Sequence, residues 1–239
     1  MNYHNVIPAI FKERKNRFVA TVLIDGHEEA VHVKNTGRLK ELLLPGASIL
    51  LQCCSNPERK TKYDLIGVYK ESLLHNPGYQ TMADCLINID SQAPNQVVRE
   101  WLPTHFPHIT FLKPEYTYGQ SRLDFYWEQE TEGQTGKKCL MEVKGVTLER
   151  EGTGYFPDAP TLRGVKHIRE LTAAVSKGYE CYIAFVIQLK GVDRVLPNDS
   201  THEEFGEALR EAQKAGVHIL CLGCEVTPSE LKINRCLEL

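Results

Sequence analysis

The chain has 239 residues, of which 42 % are hydrophobic and 25 % charged. That balance belongs to an ordinary globular protein and excludes disorder as a whole-chain description. The formal net charge of −3 argues against a strongly basic nucleic-acid binder, but the charge is uneven. Residues 1–72 hold 11 Lys+Arg against 8 Asp+Glu, and the remainder holds 17 against 23.

At roughly 150 residues per domain, this length fits one large domain or two small ones. The longest strongly apolar uncharged run, Cys181 to Leu189, is far short of the ~20 residues needed to cross a bilayer. Basic Lys12 to Arg17 is followed by a short apolar run that meets Asp25 without a cleavage-like site, so no secretory leader is expected. Eight cysteines in a chain of this composition fit a reducing compartment, and the expected location is cytoplasmic.

The first third reads as short strands rich in branched and aromatic residues: Val6 to Phe11, Arg17 to Ile24, Ala30 to Val33, Ser48 to Cys54 and Tyr63 to Tyr69. Gly or polar turns separate them. Arg38 to Leu44 has room for one or two helical turns before Pro45-Gly46. Five strands in about 70 residues predict a small OB-like β-barrel over 1–72. Residues 73–95 read as a connector, with Asn76-Pro77-Gly78 in its middle.

The pattern then changes. A helix is predicted from about Asn95 to Leu102, and Arg122 to Trp127 and Cys139 to Leu148 are strand-like about a turn centred on Gly133. Thr161 to Lys177 is a helix with Val165, Ile168, Leu171 and Val175 on one face. Asp158 is its expected cap. Tyr179 to Leu189 reads as a fully buried strand, Glu203 to Ala215 as an amphipathic helix and Val217 to Val226 as a strand. Strand-helix-strand-helix-strand order implies a parallel sheet covered by helices over 96–239.

Three residues carry the sharpest chemistry. Reflection about Gly133 sets Asp124 opposite Glu142. Glu142 and Lys144, two apart on a strand, point to one face. Two hard oxygen ligands on neighbouring strands suit Mg²⁺ or Mn²⁺, and the ammonium of Lys144 would orient an attacking water or neutralise developing charge. This is the D…ExK pattern of restriction-endonuclease-like phosphodiesterases, with Asp124, Glu142 and Lys144 as catalytic candidates and Asp124 and Glu142 as metal ligands. The plainer reading of Glu-x-Lys is a solvated ion pair. On the following helix, Arg163, Lys166, His167 and Glu170 share a side at offsets of three, four and seven, which would give counter-charge beside a bound phosphate.

In the barrel, Arg14, Lys15 and Arg17 lie at a strand junction, Lys34, Arg38 and Lys40 flank the Asn35-Thr36-Gly37 turn, and Arg59, Lys60 and Lys62 occupy the loop before Tyr63. Loops so placed on an OB barrel contact nucleic acid, with Phe18 as a stacking candidate. Nothing reads as a major-groove recognition element, so weak sequence selectivity and strong salt dependence are expected. Cys221-Leu222-Gly223-Cys224 has no second pair to complete a zinc site. Phosphate-loop, dinucleotide-fold and hydrolase-elbow motifs are missing from the sequence.

Several stretches together resemble the sugar fermentation stimulation protein family, SfsA. They are Asn16-Arg17-Phe18, Asn35 to Leu43 with Pro45-Gly46, Asn56 to Asp64, Asn88 to Asn95, Ser121 to Phe125, Met141 to Leu148, and Phe156 to Thr161 leading to Arg163-Gly164 and His167. They run in family order over nearly the whole chain, while residues around Leu73 to Cys85 lengthen the connector. The resemblance implies an N-terminal OB-like domain, a C-terminal nuclease-like α/β domain of the PD-(D/E)xK class, DNA binding, and a link to regulation of sugar metabolism in bacteria. Asp124, Glu142 and Lys144 match the nuclease-like triplet; Gly145 stands where the family pattern has Ser. Three functions follow: a DNA-binding regulator with a metal-capable site, a working Mg²⁺-dependent nuclease on DNA or RNA, or a protein-interaction scaffold.

Overall fold

The computed structural model describes residues 1–76, 79–131 and 134–238. Pro77-Gly78 and the hairpin centre Gly133 therefore lie outside the described residues.

The N-terminal strands are β1 (Val6–Arg14), β2 (Val19–Ile24), β3 (His27–Val33), β4 (Ser48–Cys53) and β5 (Tyr63–Tyr69). Their sheet order is β3-β2-β1-β4-β5, and β3 also pairs with β5 through His32↔Asp64 and Val33↔Leu65. That extra pairing, two residues long, closes the sheet into a barrel. Alternation places Ala9, Phe11, Ala20, Val22, Val31, Val33, Leu51 and Leu65 inside. The segment Arg38 to Leu44 makes a single turn, with Leu43 N–H donating to the Leu39 carbonyl at 2.9 Å. Leu39 has φ +48°, a left-handed backbone that stops the helix from growing.

The connector holds two 3₁₀ turns, Glu71–His75 and Met82–Cys85, and a short strand β6 (Leu86–Asn88) that extends the barrel sheet beside β5. Helix α1 spans Ala93–His105, longer at both ends than the sequence suggested. Its first turn contains Pro94, where a missing N–H costs nothing.

The C-terminal sheet contains β7 (Ile109–Tyr118), β8 (Ser121–Thr131), β9 (Gln134–Val146), β12 (Tyr179–Ile187), β14 (His218–Val226) and β15 (Leu231–Glu238), in the order β15-β14-β12-β9-β8-β7. The short strands β10 (Leu148–Arg150), β11 (Thr153–Phe156) and β13 (Val195–Pro197) form a separate three-stranded sheet. Strands β9, β12 and β14 are parallel, with α2 (Leu162–Val175) and α3 (Asp199–Lys214) in the crossovers. One face packs under α1 through Val97, Val98, Leu102, Phe125 and Trp127. The other packs under α2 and α3 through Val165, Ile168, Leu171, Phe205 and Leu209, and that cluster continues into the barrel interior. The two units thus share one apolar core. Asp158 is not the α2 cap: Thr161 holds that position, its hydroxyl accepting from Gly164 N–H at 3.0 Å, because the chain turns helical only after Pro160.

Among the described residues, no helix is long and apolar enough to cross a membrane.

Candidate metal and nucleic-acid site

Strands β8 and β9 pair as Phe125↔Met141, Tyr126↔Leu140, Trp127↔Cys139 and Glu128↔Lys138, a register with the symmetry centre that the sequence suggested. One step beyond Phe125 the pattern changes from backbone to side chain. Asp124 Oδ2 accepts the Val143 N–H at 2.7 Å, and its Oδ1 accepts from Asn95 Nδ2, on the first turn of α1, at 2.7 Å. Asp124 lines a cleft of about 480 Å³ with Lys34, Gln92, Asn95, Gln96 and Arg99.

Glu142 points to the α2 side. Its Oε1 accepts from Lys144 Nζ at 2.5 Å and meets His167 Nδ1 at 2.5 Å. The other oxygen, Oε2, is buried without a hydrogen-bond partner. Such an atom is uncommon in a folded interior and calls for an explanation. His167 Nε2 lies 3.4 Å from Arg163 Nε. With Glu142 ionised, His167 donates through Nδ1 and accepts from Arg163 through Nε2, which fixes one tautomer.

Burial pushes the Glu142 carboxyl up, but the His167 hydrogen bond and the Lys144 ammonium more than reverse this and leave it below its ordinary value. Burial also raises Asp124, reinforced by the charge of Glu142, and here the Val143 N–H, Lys144 and Asn95 do not compensate. Two carboxyls pushed apart by their surroundings mark a functional-site candidate.

The structure thus gathers Asp124, Glu142 and Lys144, and adds two residues to them. Nothing in the sequence singles out Asn95, the last residue of the Asn88 to Asn95 stretch. The helical spacing predicts His167 on an exposed face beside phosphate; it is 4 % exposed and meets Glu142, so its ring faces the carboxylate instead of a phosphate. Arg163 and Lys166 remain exposed, and Lys166 Nζ donates to the Gln120 carbonyl at 3.0 Å.

The barrel cations divide into two groups. Arg14 donates to the carbonyls of Arg17, Asn35, Gly37 and Arg38 at 2.7–3.0 Å. Lys34 pairs with fully buried Asp90 at 2.7 Å. Arg59 grips both oxygens of Asp64, at 2.7 and 3.0 Å. These three are spent on internal acceptors and brace loops instead of facing solvent. Lys15, Arg17, Arg38, Lys40, Lys60 and Lys62 are exposed.

Two hard oxygens, one with unused lone pairs, fit a divalent cation that completes its shell with water or phosphate. Among the described residues no group of three or more His, Cys, Asp or Glu side chains forms a full protein cage, so any such cation would be largely open.

A closed barrel joined to a helix-covered mixed sheet that carries this carboxylate-lysine cluster defines a two-domain protein of the OB-plus-α/β class. Residues 13–78 match the family model described as the SfsA N-terminal OB domain, and residues 92–230 match the sugar fermentation stimulation protein RE domain. The sugar fermentation stimulation protein homolog of Desulfitobacterium hafniense is 51 % identical over 97 % of this chain and 95 % of its own length. That of Clostridium beijerinckii is 47 % identical over 98 % and 97 %. A solved structure of Pyrococcus furiosus SfsA in complex with Ca²⁺ is 28 % identical, covers 100 % of this chain and 95 % of its own, and superposes with a TM-score of 0.80. The chain belongs to the sugar fermentation stimulation protein family.

Proposed function

We propose that this chain is a DNA-binding protein associated with the regulation of sugar metabolism, and that its α/β domain is a PD-(D/E)xK-like unit with a divalent-cation site at Asp124 and Glu142. The observation that carries the site is Glu142 Oε2, buried, unpartnered and beside Lys144. Its other oxygen is saturated by Lys144 and His167, so one oxygen is left for a cation. The Ca²⁺ complex of the Pyrococcus furiosus relative supports a hard-cation reading, and Mg²⁺ or Mn²⁺ is the expected physiological choice. DNA binding rests on the exposed Lys15, Arg17, Arg38, Lys40, Lys60 and Lys62 with Arg163 and Lys166.

The second reading is a Mg²⁺-dependent nuclease on DNA or RNA. It is favoured by Lys144 Nζ held 2.5 Å from Glu142, an ammonium fixed beside the carboxylate that would hold the cation, where it could donate to a phosphodiester oxygen or an attacking water. A bound cation would polarise the phosphodiester and acidify water. Lys144 would hold or neutralise charge at the reacting oxygen, His167 and Arg163 would keep Glu142 ionised and oriented, and Asn95 would fix Asp124.

The test is incubation with single- and double-stranded DNA and RNA, with and without Mg²⁺ or Mn²⁺, beside Glu142→Ala, together with binding at increasing salt and Mn²⁺ titration by calorimetry. Salt-sensitive DNA binding with Mn²⁺ uptake lost in Glu142→Ala supports the first reading. Cation-dependent cleavage lost in the same variant supports the second. Cleavage that persists in Glu142→Ala sinks the nuclease, and no salt-sensitive binding sinks DNA binding.

A further inference from the structure

A cleft of about 370 Å³ opens between the two domains. Its floor is Gly145 and Thr147, just past Lys144, with Gln188 at the end of β12 and Thr161 at the start of α2. This is the crevice outside the carboxyl ends of parallel strands, where open α/β sheets bind ligands. The barrel supplies the opposite wall through its Asn35–Leu39 loop. That wall is pre-formed, since Arg14 holds four of the loop's surrounding carbonyls.

The walls approach closely because two glycines permit it. A Cβ at Gly37 would lie 2.9 Å from Asp158 Oδ2, and one at Gly145 would lie 2.4 Å from Gln188 Oε1 and 2.9 Å from Pro94 Cγ. Pockets of this size take one small molecule or one nucleotide residue, not a base pair with its backbones.

The cleft does not end at the barrel. It shares Arg17, Thr36, Gly37 and Leu39 with a second cleft of about 560 Å³, which adds Arg38 and Lys40. The result is one trough, narrow and polar between the domains and basic along the barrel. The guanidinium of Arg17 and the hydroxyls of Thr36 and Thr147 make no hydrogen bond within the described residues, so they face the trough unspent. Phe18, which follows Arg17 in the chain, is 51 % exposed, and Tyr155 lines the cleft itself. A basic groove with an exposed aromatic is the arrangement that binds single strands without reading sequence.

We propose that this interdomain trough binds single-stranded DNA, with phosphates on Arg17, Arg38 and Lys40 and one unstacked base in the cleft between the domains. The proposal rests on the DNA-binding reading and narrows it to unpaired substrate. Asp158 at the narrow end repels phosphate, so that end takes the base, whose exocyclic amino or ring N–H groups can donate to the carboxylate and to Gln188 Oε1.

The test is fluorescence anisotropy of the full chain in EDTA with a 15-nucleotide oligothymidine and a duplex of equal length. Single strand is expected to bind about tenfold tighter, the difference one stacked base supplies. Arg17→Ala should weaken single-strand binding and lower its salt slope by about 0.7, the value for one phosphate contact. Thr147→Trp, which fills the cleft, should bring single-strand affinity down to the duplex value and leave the duplex unchanged. A 5-iodo-deoxyuridine strand on the unsubstituted protein should crosslink to Tyr155, which keeps the test decisive if the tryptophan variant does not fold. Duplex binding equal to or tighter than single strand, or crosslinks confined to residues outside the trough, would overturn the proposal while leaving DNA binding standing. No binding of either DNA would overturn both.

Discussion

Two neighbouring carboxyls titrate in opposite directions, and this gives the site a measurable signature without any ligand. A raised carboxyl holds its proton more tightly folded than unfolded, so its contribution to stability is complete below the ordinary value of about 3.9 and is lost as pH rises through the raised value. Asp124 is such a group. Asp124→Asn is therefore expected to raise the cation-free melting temperature at pH 7, with the gain vanishing toward pH 3. Asn95 can turn its amide to accept from the new side chain, so no donor is stranded. Glu142 is the reverse case: its depressed value gives stability present above about 4.3 and lost as pH falls through the lowered value. Glu142→Gln should cost about 1.5–3 kcal/mol at pH 7, the range for hydrogen bonds to charged groups, read by urea denaturation. For the proposed cation site, Asn95→Ala should weaken Mn²⁺ binding by about 10–100-fold, as losses of ligand-orienting contacts do, with calorimetry as the measurement. At this scale the sequence shows Asp124, Glu142 and Lys144 because strand period and hairpin symmetry are local rules. It does not show that His167 turns inward, because the rotation of α2 against β9 is set by Val165, Ile168 and Leu171 packing into the core.

At the scale of elements, helix α2 connects the core to the site. Its stripe of Val165, Ile168, Leu171 and Ala174 is buried, and that anchoring brings His167 to Glu142. Its start is fixed by Thr161, whose hydroxyl takes the Gly164 N–H. Thr161→Ala should cost about 1 kcal/mol, the usual value of an N-cap, in equilibrium unfolding. The periodicity of α2, α3 and the buried strand β12 is strong enough to read from sequence. The edge strands β7 and β15 are not: β7 is largely exposed, carries Pro114 and alternates weakly, as edge strands with one free side do. Likewise Arg14, Lys34 and Arg59 read as nucleic-acid contacts because three of the four carbonyls that claim Arg14, and the carboxylate that claims Lys34, are 21 to 56 positions away in the chain. Arg59 meets Asp64 only five positions on, at the start of β5, yet nothing local announces it.

At the scale of the molecule, the net charge of −3 conceals a division between a basic barrel and an acidic α/β domain, and a buried polar seam joins them. Lys34 Nζ pairs with Asp90 Oδ2 at 2.7 Å, Tyr3 Oη donates to the same oxygen at 3.2 Å, and Gln92 N–H donates to Asp90 Oδ1 at 2.9 Å. Gln188 Nε2 donates to Asn88 Oδ1 at 2.8 Å and to the Asp90 carbonyl at 3.1 Å. The seam ties β3 of the barrel to the first turn of α1, and α1 carries Asn95 to Asp124. Asp90 is fully buried, so Lys34→Met would strand a carboxylate, a loss of about 3–5 kcal/mol. The double change Lys34→Met with Asp90→Asn should recover much of it, since an asparagine carries no charge and its oxygen can still accept from Gln92 N–H. Urea denaturation of the three proteins, read by tryptophan fluorescence and by circular dichroism, checks this. Because one apolar cluster runs through both domains, the two signals should stay coincident in the parent and the double variant. Separate transitions in the parent protein would show that the seam and shared core do not couple the barrel to the sheet.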